Sequence, residues 1–228
     1  MSYRFVWPPA DRFIKMWLGI YVGFFILNTF GQATGLFSVF SAWSLSLAQI
    51  SQLKIWTIFS YWPVSLDLLE VLFNGMLFWF IGGELYAIWG QKRFCYFLAV
   101  CIFGAGFGYL IMDFIFGPLP PLYGPHGVTT ALILIYAFMY PERELFLLFF
   151  PVKGRYFCMI LLGMEGYRFL LAPSKLNYLG HLLGAGLGIF WWWMSYRRGS
   201  RGPRSGGGRG KNKKLSLVKT DGAEQYWQ

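Results

Sequence analysis

Apolar residues in this chain arrive in runs of about 20, the length that crosses the hydrocarbon of a bilayer as a helix. Six such runs are read, at 14–35, 64–87, 94–116, 126–140, 153–172 and 177–197, divided by short polar stretches. The fourth is the shortest, as expected of a helix that begins at a buried loop below the membrane surface. With 56% hydrophobic, 21% aromatic and only 13% charged residues, the composition excludes a soluble domain. The fold class expected is an all-α membrane protein, a bundle of six transmembrane helices forming one domain, since no soluble segment is long enough to bury a core of its own. Cys95, Cys101 and Cys158 fall inside apolar runs without paired or metal-type spacing, so they read as packing thiols.

Three parts follow: an N-terminus at 1–13, a membrane domain at 14–197 and a basic tail at 198–228. Between the first two spans, 36–63 is rich in aromatics and Ser, and Ala48 to Tyr61 has amphipathic spacing, so it is expected to lie in the interface. The net charge of +10 is concentrated in the tail, where nine Lys and Arg lie between Arg197 and Lys219 among Gly, Ser and Asn. Such a tail is expected to be disordered and to touch anionic lipid, with membrane lipids as its partners and no specific nucleic acid. No cleavable signal sequence is expected, because Pro8-Pro9 and the charges Asp11 and Arg12 precede the first run.

Charge placement sets the orientation. Arg4, Arg12 and Lys15 stand at the first span, Lys92 and Arg93 between spans two and three, Arg143, Lys153 and Arg155 between four and five, and the tail follows six. The opposite loops carry only Lys54 and Lys175, so both termini are expected in the cytoplasm. Spans two, four and six then all start on the other side, and at about 1.5 Å per residue their first turns share one depth. That layer holds Glu70 and Asn74 of span two, His126 of span four and His181 of span six.

Ionisable groups inside spans cost several kcal/mol if isolated, so they face the bundle interior and find partners. Glu70 and Asn74, four apart, share a helical face. Glu165 and Arg168, three apart, are expected to pair along their own helix, and Glu84, beside Gly82-Gly83, to cap or bond a neighbouring loop. Gly180, Gly184 and Gly188 form a small-residue stripe that lets another helix approach backbone to backbone, pressing His181 against that neighbour. Gly124, Pro125 and Gly127 predict a turn entering span four, leaving N-terminal amides free to bind a polarised oxygen.

These segments together resemble the rhomboid family over about residues 50 to 197. Tyr123-Gly124-Pro125-His126-Gly127 is similar to its Gly-x-Ser-Gly nucleophile motif, with His126 in the serine position. Trp56-Thr57 resembles a Trp-Arg of the first loop with Thr for Arg, and Glu70-Val71-Leu72-Phe73-Asn74 a His-x-x-x-Asn with Glu for His. Gly82 to Gly90, Phe149-Phe150-Pro151-Val152-Lys153 and Gly180-His181-Leu182-Leu183-Gly184 complete the likeness. The resemblance implies a six-span rhomboid-like bundle in which His181 holds the place of the base and Asn74 that of an oxyanion donor. It also implies a missing nucleophile, and an ionised Glu70 would repel the oxyanion its position serves. Thr129 and Thr130 lie a turn deeper and do not occupy the motif position. Serine-type proteolysis is therefore not expected.

Three readings remain open. The first is a pseudoprotease that binds transmembrane or unfolded membrane-protein clients, with His126 filling the former serine site, paired with Glu70. The second is a metal site: two imidazoles and a carboxylate are the set catalytic zinc uses, so His126, His181 and Glu70 are candidate zinc ligands. Asp67 is a fourth ligand or an outer acceptor in that reading, Asn74 a partner for bound water or substrate, and a metal-dependent hydrolase its extension. The third is a membrane scaffold or lipid-active protein that has no use for the pocket, with Trp191-Trp192-Trp193 in the interfacial belt.

Overall fold

The computed structural model describes residues 11–142, 144–147, 150–171 and 175–199 of the chain. Helix α1, Arg12–Thr34, begins where the Asp11 carboxylate accepts the Phe13 amide at 3.1 Å and ends at Gly35 in the left-handed region. A cap of this kind satisfies one of the amide donors that a helix start leaves without partners. The interfacial segment folds as three short helices, α2 Val39–Trp43, α3 Leu47–Ser51 and α4 Thr57–Ser60. The single amphipathic run expected over Ala48 to Tyr61 is broken in two. The amides of Leu53 and Lys54 turn back onto the carbonyls of Ile50 and Gln49, at 2.9 and 3.1 Å, and Leu53 takes a φ of 63°.

Asp67 starts the next helix by accepting the Leu69 amide at 3.1 Å, so α5 runs Leu68–Leu77 and begins later than the expected 64. A π-helical turn, Phe78–Gly82, leads into α6, Gly83–Phe116. That stretch is not one rod. Twelve residues of straight helix would hold Gly82 and Phe94 about 18 Å apart. Instead a Cβ on Gly82 would sit 3.5 Å from the Phe94 ring, and the rings of Phe78 and Phe94 are 5.8 Å apart. The chain doubles back at Gly90, whose φ of 76° is open to glycine without steric cost. The limb 83–89 thus completes the second apolar run and the limb 91–116 is the third.

Helix α7, His126–Met139, is followed by a two-stranded antiparallel hairpin, β1 Glu144–Leu147 with β2 Phe150–Lys153, in which Glu144 stands opposite Lys153. This hairpin qualifies the all-α expectation: Pro141 stops the helical pattern, and the apolar residues beyond it suit strands. Helices α8, Gly154–Leu171, and α9, Lys175–Gly199, complete the order. Among the described residues, Arg12–Thr34 and the stretch Leu68–Phe116 are long and apolar enough to cross a membrane, and His126–Met139 is a shorter apolar helix.

Aromatic stacking holds α1 to α5. Trp17 lies between Trp62, at 4.2 Å between ring centroids, and Phe78, at 3.7 Å, and each stacked pair adds about 0.5–1.5 kcal/mol beyond its buried area. Cys101 is buried and Cys95 half-buried, both as free thiols, and the Cys158 side chain lies outside the described residues. Glu84 reaches a helix: the Tyr136 hydroxyl of α7 donates to its Oε2 at 2.8 Å. The side chains of Glu165 and Arg168, the tail beyond Gly199 and residues 1–10 also lie outside the described residues.

The glycine stripe of α9 does what its spacing predicts. A Cβ on Gly184 would stand 2.5 Å from Ala105 Cβ and 2.6 Å from the Cys101 carbonyl oxygen, and one on Gly188 would strike the Cys101 sulfur. Leu183 and Leu187 in turn lie over Gly108 and Gly104 of the facing limb, each 2.8 Å from where a Cβ would be. On the α7 side, a Cβ on Gly127 would lie 3.0 Å from the His181 carbonyl oxygen. Helix α9 is therefore wedged between the third run and α7 at backbone distance.

Two neighbouring alanine substitutions separate this approach from helix propensity. Gly184→Ala is expected to destabilise the protein by about 1–3 kcal/mol through overpacking. Gly186→Ala, whose Cβ meets nothing within 4 Å, is expected to be neutral or to gain up to about 1 kcal/mol. Thermal unfolding of both variants in detergent measures the difference.

Candidate functional site

A strap of chain fixes the start of α7. After Gly117, with φ 89°, the backbone crosses the end of the third run, and four contacts hold it. The buried carboxylate of Asp113 accepts the Leu119 amide at 2.7 Å and, with its other oxygen, the Leu47 amide at 2.8 Å. The Tyr109 hydroxyl donates to the Pro120 carbonyl at 2.9 Å. Leu122 and Leu45 exchange backbone bonds of 2.8 Å in both directions, and the Gly124 amide donates to the Tyr61 carbonyl at 3.1 Å. Tyr61 is anchored in turn, donating its hydroxyl to the Ile102 carbonyl at 2.8 Å. Burial pushes that phenol above its ordinary range, so it remains a donor. The interfacial segment thus clamps the strap against the bundle, and Pro125 hands over to α7 by accepting the Val128 and Thr129 amides.

The strap delivers His126 to Glu70. Its Nε2 stands 3.0 Å from Glu70 Oε1, with both side chains nine-tenths buried. Among the described residues Glu70 Oε1 accepts no hydrogen bond, so the contact is one of proximity. The His126 ring meets the His181 ring edge to face, with centroids 5.2 Å apart and planes at 75°. His181 also bonds the backbone of Tyr123 on the strap, while its Nδ1 has no hydrogen-bond partner. Gly124 serves the pocket twice: its φ of +88° disfavours L side chains, and a Cβ there would lie 3.0 Å from both Glu70 Oε1 and the His126 ring.

His126 therefore meets two other residues singled out from sequence, Glu70 on one side and His181 on the other. Asn74 is buried one turn along α5 on the same face as Glu70. Asp67 does not join them as a metal ligand or outer acceptor; it is exposed, and its carboxylate serves as the cap of α5. The Thr129 hydroxyl is turned to the carbonyls of His126 and Pro125, at 3.2 and 3.3 Å, and Thr130 is buried beside it. Thr57, in the first-loop motif, donates to the Lys54 carbonyl at 2.7 Å, and the Trp56 indole donates to that of Ala42 at 3.3 Å. Sequence reasoning passed over Asp113 and Tyr109, although a carboxylate three residues from the end of an apolar run is itself a signal.

Chemically the pocket offers acid–base groups. Imidazole and carboxylate in contact away from water stabilise one another, each relieving the cost of burying the other. Covalent hydrolysis would need a hydroxyl or thiol within reach of His181, and the ring that His181 meets is that of His126. Among the described residues no three His, Cys, Asp or Glu side chains converge as a metal cage.

No curated protein matches the chain. The Rhomboid domain family matches residues 52–198, well over half of the chain and a stretch that contains all four pocket positions. Its apolar helices agree with an integral membrane protein. The backbone-close packing of α9, the strap and the polar layer at 70, 74, 126 and 181 all fall inside that match, and the chain belongs to the rhomboid family.

Proposed function

We propose that this protein is a pseudoprotease, a rhomboid bundle that holds transmembrane or unfolded membrane-protein clients without cleaving them. One observation supports the reading: His126, which the resemblance sets at the nucleophile position, lies 3.0 Å from Glu70. The pair fills the place where a serine would meet its base, and it replaces a donor for the oxyanion with a carboxylate that repels one. In this reading the membrane domain at 14–197 crosses the bilayer six times, with both termini in the cytoplasm and the pocket opening to the other side. The tail at 198–228 rests on anionic lipid.

Zinc is the rival occupant. The residue types at 70, 126 and 181 support it, and so does the approach of the two imidazoles. The lack of a third converging ligand among the described residues weighs against it.

Three measurements test the proposal. A transmembrane reporter co-expressed with the protein should be cleaved no more than with His181→Ala, and His126→Ser alone should not raise cleavage, because Glu70 remains. Cleavage lost on changing His181 would establish an enzyme. Photo-crosslinking should capture membrane-protein clients equally well with Glu70→Gln, whereas substitutions on the faces of the second and fifth spans should alter capture. Elemental analysis of the detergent-purified protein should find zinc far below one equivalent; stoichiometric zinc that His126→Ala or His181→Ala removes would replace the proposal with a metal site.

A further inference from the structure

We propose that Asp113 is a positioning residue of the pocket, coupling the interfacial segment to the placement of His126. Three observations carry this. Asp113 is 4% exposed within the third apolar run, where an unpaired carboxylate would be costly. Among the described residues it bonds no basic side chain; its partners are two backbone amides from segments far apart in sequence, Leu47 at 2.8 Å and Leu119 at 2.7 Å. Both bonds are short and charge-assisted, the kind that is roughly twice as strong as a neutral one.

The two amides lie where they matter. Leu47 opens α3, two residues after the Leu45 that bridges to Leu122, and Leu119 begins the strap that ends at His126. One carboxylate thus fixes both sides of that bridge. The strap beyond it has little freedom: Leu122 is bonded to Leu45, Gly124 to Tyr61, and Tyr123 to the His181 ring. Loosening Leu119 releases the strap at its origin, and loosening Leu47 releases the segment it rests on. Both movements reach His126 through Tyr123 and Gly124, whose space beside Glu70 Oε1 is already tight. A displacement of the interfacial segment by lipid or a client would travel the same route.

The chain has only two histidines, so the imidazole signals of the full-length protein report this pocket alone. With ¹⁵N-histidine label in detergent, Asp113→Asn is expected to move the His126 and His181 ring resonances, since Asn keeps an acceptor for one amide and turns a donor toward the other. Asp113→Leu should move them further. Tyr136→Phe, which removes the bond to Glu84 at the far end of α7, should leave them in place at a similar loss of thermal stability. In the wild type, hydrogen exchange should find the Leu47 and Leu119 amides protected, a measurement that needs no variant to fold. Unmoved imidazoles in Asp113→Asn, equal movement in Tyr136→Phe, or fast exchange at Leu119 would each overturn the assignment. The inference rests on the pocket geometry of the pseudoprotease reading, but none of these readouts involves a client, so client capture can fail while the coupling stands.

Discussion

The pocket exists because α9 can lie against its neighbours with almost no side chain in between. Gly184 and Gly188 bring it to the backbone of Cys101 and Ala105, and Gly127 admits the His181 carbonyl on the other side. Inside a bilayer the lipid tails are as apolar as leucine, so burial gives little reason for two helices to associate. Dispersion across a close, smooth contact has to supply it. Where backbones approach this closely, a side chain at the start of the helix is set by the helix axis and has little room to adjust. His181 is therefore placed by glycines one and two turns away, and the edge-to-face meeting with His126 follows from that packing.

A second constraint acts on the polar side chains. Glu70, Asn74, Asp113, His126 and His181 are all buried in a protein whose surroundings are apolar. The structure answers differently in each case. Asp113 accepts two backbone amides, Glu84 accepts from the Tyr136 hydroxyl, and Glu70 lies 3.0 Å from the His126 imidazole. Glutamate at 70 and histidine at 126 make sense together: either alone would leave an ionisable group without a counterpart at this depth.

Much of the architecture was legible as periodicity and punctuation. The run at 126–140 became His126–Met139, and the glycine spacing in the last run matched the approach it predicts. The meeting of Glu70, His126 and His181 was legible only by analogy with a family pattern, because residues over a hundred positions apart carry no spacing signal of their own. Asp67 misled for a simple reason. A carboxylate near a polar cluster reads as a ligand, yet at a helix start it binds the first free amides, and the local bond prevails.

The sequence by itself determined the apolar runs, a glycine able to take the positive φ at the break between the second and third, the small-residue face of α9 and the presence of two imidazoles and a carboxylate in the early turns of three helices. These are local consequences of hydrophobic length, of which residue tolerates a positive φ, and of the absence of side chains at fixed intervals. Only the tertiary structure decided which polar groups became partners. Asp113 holding Leu47 and Leu119, Tyr61 holding Gly124, and Glu70 reaching His126 are contacts between segments far apart along the chain. Hydrogen bonds and ion pairs depend on distance and angle to fractions of an ångström, and those are fixed only when the helices have packed.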